Sequence, residues 1–140
     1  MVVDASVVVK WIFPGRTGEG DSDAALAVLR AIREGAVAVV QPPHWLAEVA
    51  AVATRLEPIV AGEAVPLLYA MEFPVAGESE VYRLACELGA TLGQHVFDTL
   101  YHAVALTRTA ATLITADERY FRKARHVGAV ELLTGATKGA

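Results

Sequence analysis

The chain has 140 residues, of which 54% are apolar and 20% are charged, and its formal net charge is −4. This size suits one globular domain spanning residues 1–140, and the negative balance disfavours a protein that wraps nucleic acid in bulk positive charge. A single cysteine, Cys86, excludes an internal disulfide, and we expect it to be a core thiol in a reducing cytoplasm. Asp4, Lys10 and Glu48 interrupt the apolar stretches, so no membrane span is expected.

The first half of the chain alternates strand-like and helix-like segments. Short β-branched runs predict strands, and apolar residues at helical spacing predict helices. In chain order, these elements are a strand over Met1–Val3, helices over Ser6–Phe13 and Ser22–Glu34, a strand over Val37–Val40 and a helix over His44–Leu56. The Gly- and Pro-rich residues 14–20 are expected to form a surface loop.

The second half continues the alternation. Its predicted elements are helices over Gly62–Ala70 and Glu78–Leu88, separated by a weak strand over Met71–Val75, then a helix over Val96–Ala110, a strand over Thr112–Thr115, a helix over Glu118–Arg125 and a strand over Val130–Leu133. Strands separated by helices imply right-handed crossovers and a parallel sheet covered by helices on both faces. The expected fold class is α/β, a three-layer α/β/α sandwich with a central, mainly parallel sheet.

Two acidic residues closely follow predicted strands. Asp4 follows Met1–Val3 directly, and Asp117 follows Thr112–Thr115 after one intervening residue. Because ligands bind beyond the carboxyl ends of parallel strands, these carboxylates are expected at one edge of the sheet. Each aspartate also suits the N-cap of the helix that follows it, and this alternative stays open.

Glu48 is the single charged residue between His44 and Thr54, in a helix that is apolar on nearly every side. We therefore expect its carboxylate to be buried, where it needs a partner because an unpaired buried charge is costly. The candidate partners are Arg55, about two helical turns further along, and a hard divalent ion, since Mg²⁺ and Mn²⁺ prefer carboxylate oxygens.

Asp98 lies in the first turn of the helix that is predicted to begin at Val96, where a carboxylate complements the helix dipole. The strand Thr112–Thr115 follows that helix, which places Asp98 at the same edge of the sheet as Asp4 and Asp117. Three carboxylates brought together without a cation would repel one another strongly. The sequence therefore predicts a divalent metal ion at this edge.

Four motifs carry these residues and are spread along most of the chain, from residue 2 to residue 121. They are residues 2–11 (VVDASVVVKW), 43–49 (PHWLAEV), 97–106 (FDTLYHAVAL) and 113–121 (LITADERYF). Each motif alone is weak, but four in this order, with these lengths between them, are a strong signal. The chain resembles the PIN-domain ribonucleases, and specifically the VapC-type toxins of toxin–antitoxin pairs.

The resemblance implies a PIN-like, doubly wound sheet and a ribonuclease that hydrolyses RNA phosphodiester bonds with Mg²⁺ or Mn²⁺. It also implies a catalytic and metal-binding site that consists of Asp4, Glu48, Asp98 and Asp117. Ser6 and Thr115 are the small polar residues that usually support such a site. A VapB-like antitoxin and a homodimer are implied as well. Phe97 and Thr99 replace the more usual Tyr and Ala, and neither change removes a ligand.

The residue types fit this chemistry on their own. A metal held by Asp4, Asp98 and Asp117 would activate a water molecule and stabilise negative charge in the transition state, with Glu48 as a further ligand or as the group that orients the water. The site repels RNA until metal is bound, so other residues must contact the phosphates. The candidates are Lys10, Arg119, Arg122, Lys123 and Arg125. A solvated helix face is the alternative for the last four.

Other functions remain open, namely a housekeeping PIN ribonuclease that matures stable RNA and a non-catalytic RNA-binding PIN module. A phosphoacceptor receiver domain is disfavoured, since the chain lacks a second Asp after the first strand and a Lys after the last. His102 is expected to be a packing or surface residue rather than a metal ligand. Trp11 and Trp45 are expected in the core or in an interface.

Overall fold

Three short parallel strands form the sheet. They are β1 (Val2–Val3), β2 (Leu113–Thr115) and β3 (Val130–Leu132), and they are hydrogen-bonded in the order β1-β2-β3. In the register, Val3 lies beside Ile114, which lies beside Glu131. Because all the strands run in one direction, their carboxyl ends meet at one edge of the sheet.

Eight α-helices flank the sheet in the computed structural model, which describes residues 1–16 and 21–136. They are α1 (Ala5–Ile12), α2 (Ser22–Arg33), α3 (Trp45–Leu56), α4 (Pro58–Tyr69), α5 (Ser79–Leu92), α6 (Val96–Thr107), α7 (Glu118–Ala124) and α8 (Leu133–Ala136), with a 3-10 turn at Arg125–Val127. The surface loop predicted for residues 14–20 lies partly outside the described residues. The predicted α/β sandwich with a central parallel sheet is confirmed.

Two of the acidic residues begin helices. The side chain of Asp4 accepts a hydrogen bond from the backbone N of Ser6 at 3.2 Å, which caps α1. The side chain of Asp117 accepts one from the backbone N of Tyr120 at 3.0 Å, which caps α7. The N-cap role that the sequence left open is therefore confirmed for both residues, and it fixes both carboxylates at strand–helix junctions.

The strand predicted over Val37–Val40 does not form, although Met1 N donates to Ala38 O and Val40 N donates to Met1 O, each at 3.0 Å. Val3 N donates to Gln41 Oε1, and Gln41 Nε2 donates to Val3 O, each at 2.8 Å. The Gln41 amide thus takes the hydrogen-bonding positions that a neighbouring strand would use. The weak strand predicted over Met71–Val75 is likewise reduced to a single bridge with Gln41.

Two helices extend past glycines that were expected to bound them. α4 begins at Pro58 rather than at Gly62, because proline is well tolerated in the first turn of a helix. α5 continues through Gly89 and is followed by Gly93, whose φ of 63° gives the left-handed conformation common after a helix. Helical packing therefore overrides the weak helix propensity of the two interior glycines.

The hydrophobic core lies between the sheet and its flanking helices. Trp11 and Trp45 are 9% and 6% exposed, so their predicted core position is confirmed. The prediction of a core thiol is wrong, because Cys86 is exposed. It lies off the inward face of α5, which consists of Val81, Ala85, Leu88 and Gly89. Among the described helices, none has the length and apolar character needed to cross a membrane.

Candidate functional site

Four carboxylates gather at the carboxyl edge of the sheet, and we call them the acidic cluster. Asp4 follows β1, Asp117 follows β2 after one residue, and Asp98 and Glu48 lie in the first turns of α6 and α3. Their charges interact, since Asp4 is affected by Glu48 and Asp98, and Asp98 is affected by Glu48 and Asp117. The structure therefore brings together all four acidic residues that the sequence singled out.

Asp4 is the most constrained member of the acidic cluster. Its Oδ2 accepts hydrogen bonds from Ser6 Oγ at 2.5 Å, from Ser6 N at 3.2 Å and from Thr115 Oγ1 at 3.3 Å. Burial raises the pKa of Asp4 to about 6; the hydrogen bonds from Ser6 oppose this rise, and the charges of Glu48 and Asp98 add to it. Near neutral pH, Asp4 is therefore ionised in surroundings that disfavour its negative charge.

The hydroxyl groups of Ser6 and Thr115 connect the end of β2 to the start of α1. Ser6 Oγ accepts a hydrogen bond from Ala116 N at 3.0 Å, and Thr115 Oγ1 accepts one from Asp117 N at 3.1 Å. The two hydroxyl oxygens lie 3.4 Å apart. These contacts fix Asp4 and Asp117 relative to each other.

Glu48 is partly exposed, so the prediction that it is buried is wrong. Its side chain is 25% exposed, because the alanines beside it on the outer face of α3 also reach solvent. Its Oε2 lies 3.0 Å from His44 Nε2, and Tyr101 Oη donates to the same oxygen at 3.5 Å. Among the described residues, the side chain that contacts the Glu48 carboxylate most closely is therefore that of His44, one turn earlier, rather than that of Arg55.

His44 connects Glu48 to the start of α6. Its Nε2 also lies 2.7 Å from the backbone O of Phe97. Because both oxygens only accept, the imidazole proton that they share is on Nε2. His44 and Tyr101 were not among the predicted site residues. Their spacing was the available signal, since His44 precedes Glu48 by four residues and Tyr101 follows Asp98 by three, intervals that place side chains on one helix face.

Asp98 is linked to a basic residue through a glutamine. Gln94 Nε2 donates to Asp98 Oδ2 at 3.4 Å, and Lys123 Nζ donates to Gln94 Oε1 at 2.8 Å. Burial raises the pKa of Asp98, and the charges of Glu48 and Asp117 raise it further. Lys123 therefore lies close to the acidic cluster. Gln94 was not predicted, and its position four residues before Asp98 is the only sequence signal for it.

The other predicted phosphate-binding residues differ in exposure. Arg119 and Arg122 are exposed on α7, and Arg125 is exposed in the 3-10 turn that follows. Their exposure fits both a solvated helix face and contact with phosphates. Lys10 lies on another helix, α1, and is only 8% exposed. The structure thus groups the bases of α7 and its following turn and sets Lys10 apart from them.

A second polar cluster, the histidine cluster, consists of His102, Tyr120 and Gly128. His102 Nε2 donates to Gly128 O at 2.7 Å, so its Nδ1 accepts from Tyr120 Oη at 2.9 Å. Burial lowers the pKa of His102, which is fully buried. The predicted packing role of His102 is confirmed. Burial raises the pKa of Tyr120, and the charges of Asp4, Asp98 and Asp117 raise it further, so the two clusters are electrostatic neighbours.

The acidic cluster has the donor chemistry for a hard divalent cation. Its four side chains are all carboxylates, the ligands that Mg²⁺ and Mn²⁺ prefer, and the pKa values of Asp4 and Asp98 are raised by burial and further by neighbouring negative charges. Within residues 1–16 and 21–136, no three acidic, histidine or cysteine side chains are arranged so that they could hold a metal ion as they stand. Metal binding would therefore draw the carboxylates closer together.

Carboxylates gathered at the carboxyl edge of a parallel sheet are typical of metal-dependent phosphodiester chemistry. The chain belongs to the PIN domain family, whose family model matches residues 1–127. This is a nuclease fold whose members typically depend on a metal ion. The resemblance seen in the sequence is thus confirmed for the family. No curated protein matches the chain.

Proposed function

We propose that the protein is a metal-dependent endoribonuclease and that Asp4, Glu48, Asp98 and Asp117 are its catalytic residues. The observation that carries this proposal is the convergence of four carboxylates from separate elements at one edge of the sheet, where the charges of Glu48 and Asp98 act on Asp4 and those of Glu48 and Asp117 act on Asp98. Isolated helix caps would not need to face one another across the edge of the sheet. A shared positive ligand explains why these groups are held together at a cost in repulsion.

Asp4, Asp98 and Asp117 would hold the ion, with Glu48 as a further ligand or as the residue that orients water. Mg²⁺ or Mn²⁺, when bound, supplies an activated water molecule and stabilises negative charge on the phosphate. The chain's own residues prepare the donors. Ser6 and Thr115 hydrogen-bond to Asp4, and His44 contacts Glu48. Asp4 must lose its proton before it can serve as a ligand.

The basic residues of α7 and its following turn supply the expected contacts to RNA phosphates. Lys123 is linked by Gln94 to Asp98 of the acidic cluster. Arg119, Arg122 and Arg125 are exposed. For single-stranded RNA, each phosphate contact should make the slope of log affinity against log salt concentration more negative by about 0.7. The contribution of Lys10 is expected to be smaller because its side chain is buried.

The nuclease proposal is tested by cleavage of a structured RNA pool with Mg²⁺ or Mn²⁺ and then with EDTA. We expect metal-dependent cleavage by the wild type and a loss of at least about 100-fold in Asp4→Asn and Asp98→Asn, as when a catalytic electrostatic group is removed. Asp23→Asn, an exposed residue in α2, is the matched control and should cleave normally. Cleavage that survives EDTA or both site substitutions would contradict the proposal.

We further propose that this nuclease is the toxin of a VapBC-like pair and that a VapB-like antitoxin binds away from the acidic cluster. A groove of about 640 Å³ lies between α1, α2 and α4, and its lining includes Trp11, Leu29 and Leu67. Leu67 is 72% exposed, and Ile59 and Tyr69 of the same helix are as open to solvent. So much exposed apolar surface is typical of a protein-binding site. The homodimer is proposed from the resemblance alone.

The toxin proposal is tested by inducible expression with and without the product of the neighbouring gene. We expect growth arrest that requires Asp98 and is relieved by the partner. Leu67→Glu should weaken the complex and leave cleavage by the free enzyme unchanged, whereas Tyr82→Glu, an exposed aromatic residue on α5, should affect neither. Normal growth of cells in which the protein cleaves RNA would favour a housekeeping enzyme. The homodimer is tested separately, by sedimentation of the free protein.

A further inference from the structure

An exposed aromatic ring stands beside the acidic cluster. Phe97 is 66% exposed in the first turn of α6 and directly precedes Asp98. A phenyl ring left in water forgoes the free energy that burial would give it. The ring stands at the start of a helix that is otherwise largely buried, since seven consecutive residues of α6, from Thr99 to Ala105, are buried.

The ring of Phe97 is held from one side. It stacks on the imidazole of His44, with the ring centroids 5.4 Å apart and the planes 23° from parallel. The Nε2 of His44 is within hydrogen-bond distance of the backbone O of Phe97 and of Glu48. His44 also contacts the ring of Tyr101, with a centroid distance of 4.9 Å. The ring is thus fixed to the residues that surround the acidic cluster while much of its surface faces solvent.

We propose that Phe97 is a stacking platform for an unpaired base of single-stranded RNA, next to the phosphodiester bond that is cleaved. This inference rests on the proposed function. Asp98 follows Phe97 in the sequence and Glu48 contacts His44 beneath the ring, so their charges disfavour an acidic group on the ring, whereas a nucleobase is uncharged and flat. Base–aromatic stacking tolerates any base, so the platform would position the strand without reading its sequence. A protein partner would need a broad apolar face, such as the one on α4, rather than one ring.

The test compares Phe97→Leu, which keeps apolar volume and loses the π face, with Phe97→Trp, which keeps it. A short single-stranded RNA whose cleavage site has been mapped is the probe, together with copies that carry one abasic sugar at each position flanking that site. Phe97→Leu should lower kcat/KM about 5- to 150-fold, mainly through KM, and Phe97→Trp should stay close to the wild type. Tyr82→Leu is the matched control, because it removes an exposed aromatic ring on another helix.

The abasic substrates separate stacking from a structural effect. At one flanking position, removal of the base should make the wild type as slow as Phe97→Leu, and the two losses should not add. Equal KM values for wild type and Phe97→Leu, or losses that add at every position, would overturn the platform. A change of oligomeric state in Phe97→Leu with unchanged KM would do the same and would assign the ring to a protein interface.

Binding of a short single-stranded RNA, and of copies that carry one abasic sugar at each position in turn, to the Asp117→Asn protein distinguishes the two proposals without a mapped cleavage site, and fluorescence anisotropy measures it. Weaker binding upon Phe97→Leu in that background, with the intact RNA but not with the critical abasic copy, supports the platform whether or not the wild type cleaves RNA. If the wild type then fails to cleave with any metal, the nuclease proposal falls and the platform stands. If cleavage requires Asp98 but RNA binding is unchanged by Phe97→Leu, the nuclease proposal stands and the platform proposal falls.

Discussion

The histidine cluster and the acidic cluster are neighbours across Tyr120, yet they treat their polar groups in opposite ways. In the histidine cluster, each nitrogen of His102 meets a group of the complementary role, Gly128 O or Tyr120 Oη. In the acidic cluster, four groups of the same charge lie at one edge of the sheet; burial raises the pKa of Asp4 to about 6, and the charges of Glu48 and Asp98 add to this rise. Complementary polar groups stabilise the fold, whereas like charges raise its energy until a ligand neutralises them. The two clusters therefore differ in charge arrangement: the histidine cluster pairs donors with acceptors, whereas the acidic cluster gathers like charges.

The sharpest test of the contrast removes the buried imidazole. His102→Phe keeps an aromatic ring of similar size and leaves Tyr120 Oη without its partner, so the free energy of unfolding should fall by about 2–4 kcal/mol. Urea denaturation measures this change. His126→Phe, at an exposed position, is the control and should change stability little. An equal loss of stability in His126→Phe would contradict the special stabilising role assigned to the buried imidazole of His102.

The pH dependence of stability tests the acidic cluster. With the pKa of Asp4 near 6 in the folded chain and 3.8 as its ordinary value, the folded state retains a proton that the unfolded state releases. The free energy of unfolding should therefore fall as pH rises from about 4 to about 6, by up to about 3 kcal/mol. Denaturation in EDTA at several pH values measures this slope. Asp4→Asn should flatten it and Asp23→Asn should keep it; identical slopes would contradict the assignment.

Divalent metal should reverse the repulsion. At a concentration about 100 times its Kd, Mg²⁺ should raise the free energy of unfolding by about 2.7 kcal/mol through preferential binding to the folded chain. Thermal unfolding with Mg²⁺ and with sodium salt of equal ionic strength measures the specific effect, and EDTA should abolish it. The shift should disappear in Asp98→Asn. An equal shift in the variant would mean that Mg²⁺ binds elsewhere.

The smallest expected effect concerns the hydroxyl group of Thr115, which contacts both of the helix-capping residues, Asp4 and Asp117. Thr115→Val keeps the shape of the side chain and removes its hydrogen bonds to Asp4 and Asp117, so stability should fall by about 1 kcal/mol. Thr115→Ser should restore most of that loss. Thr109→Val, at an exposed position, is the control for urea denaturation. A variant as stable as the wild type would show that the link does not contribute.

The sequence predicted the elements of the fold that depend on local pattern. Asp4 and Asp117 could be placed at one sheet edge because parallel strands end together, and His102 could be assigned to packing because it lacks a second ligand. The burial of Glu48 was predicted wrongly, since an alanine-rich helix can expose its apolar face. Contacts between distant segments, such as His44 with Phe97, depend on how α3 meets α6, and no local pattern encodes that approach.

The Gln41 amide has a consequence for how this chain avoids self-association. A three-stranded sheet has two edges, and an unpaired edge is a template onto which a strand of another molecule can add. At β1, the side-chain amide of Gln41 occupies the free hydrogen-bonding groups of Val3. Its two polar atoms bond to Val3 N and Val3 O. The backbone beside it covers Met1, because Met1 N donates to Ala38 O and Val40 N donates to Met1 O. A glutamine side chain thus extends the cover of this edge to Val3, next to Asp4.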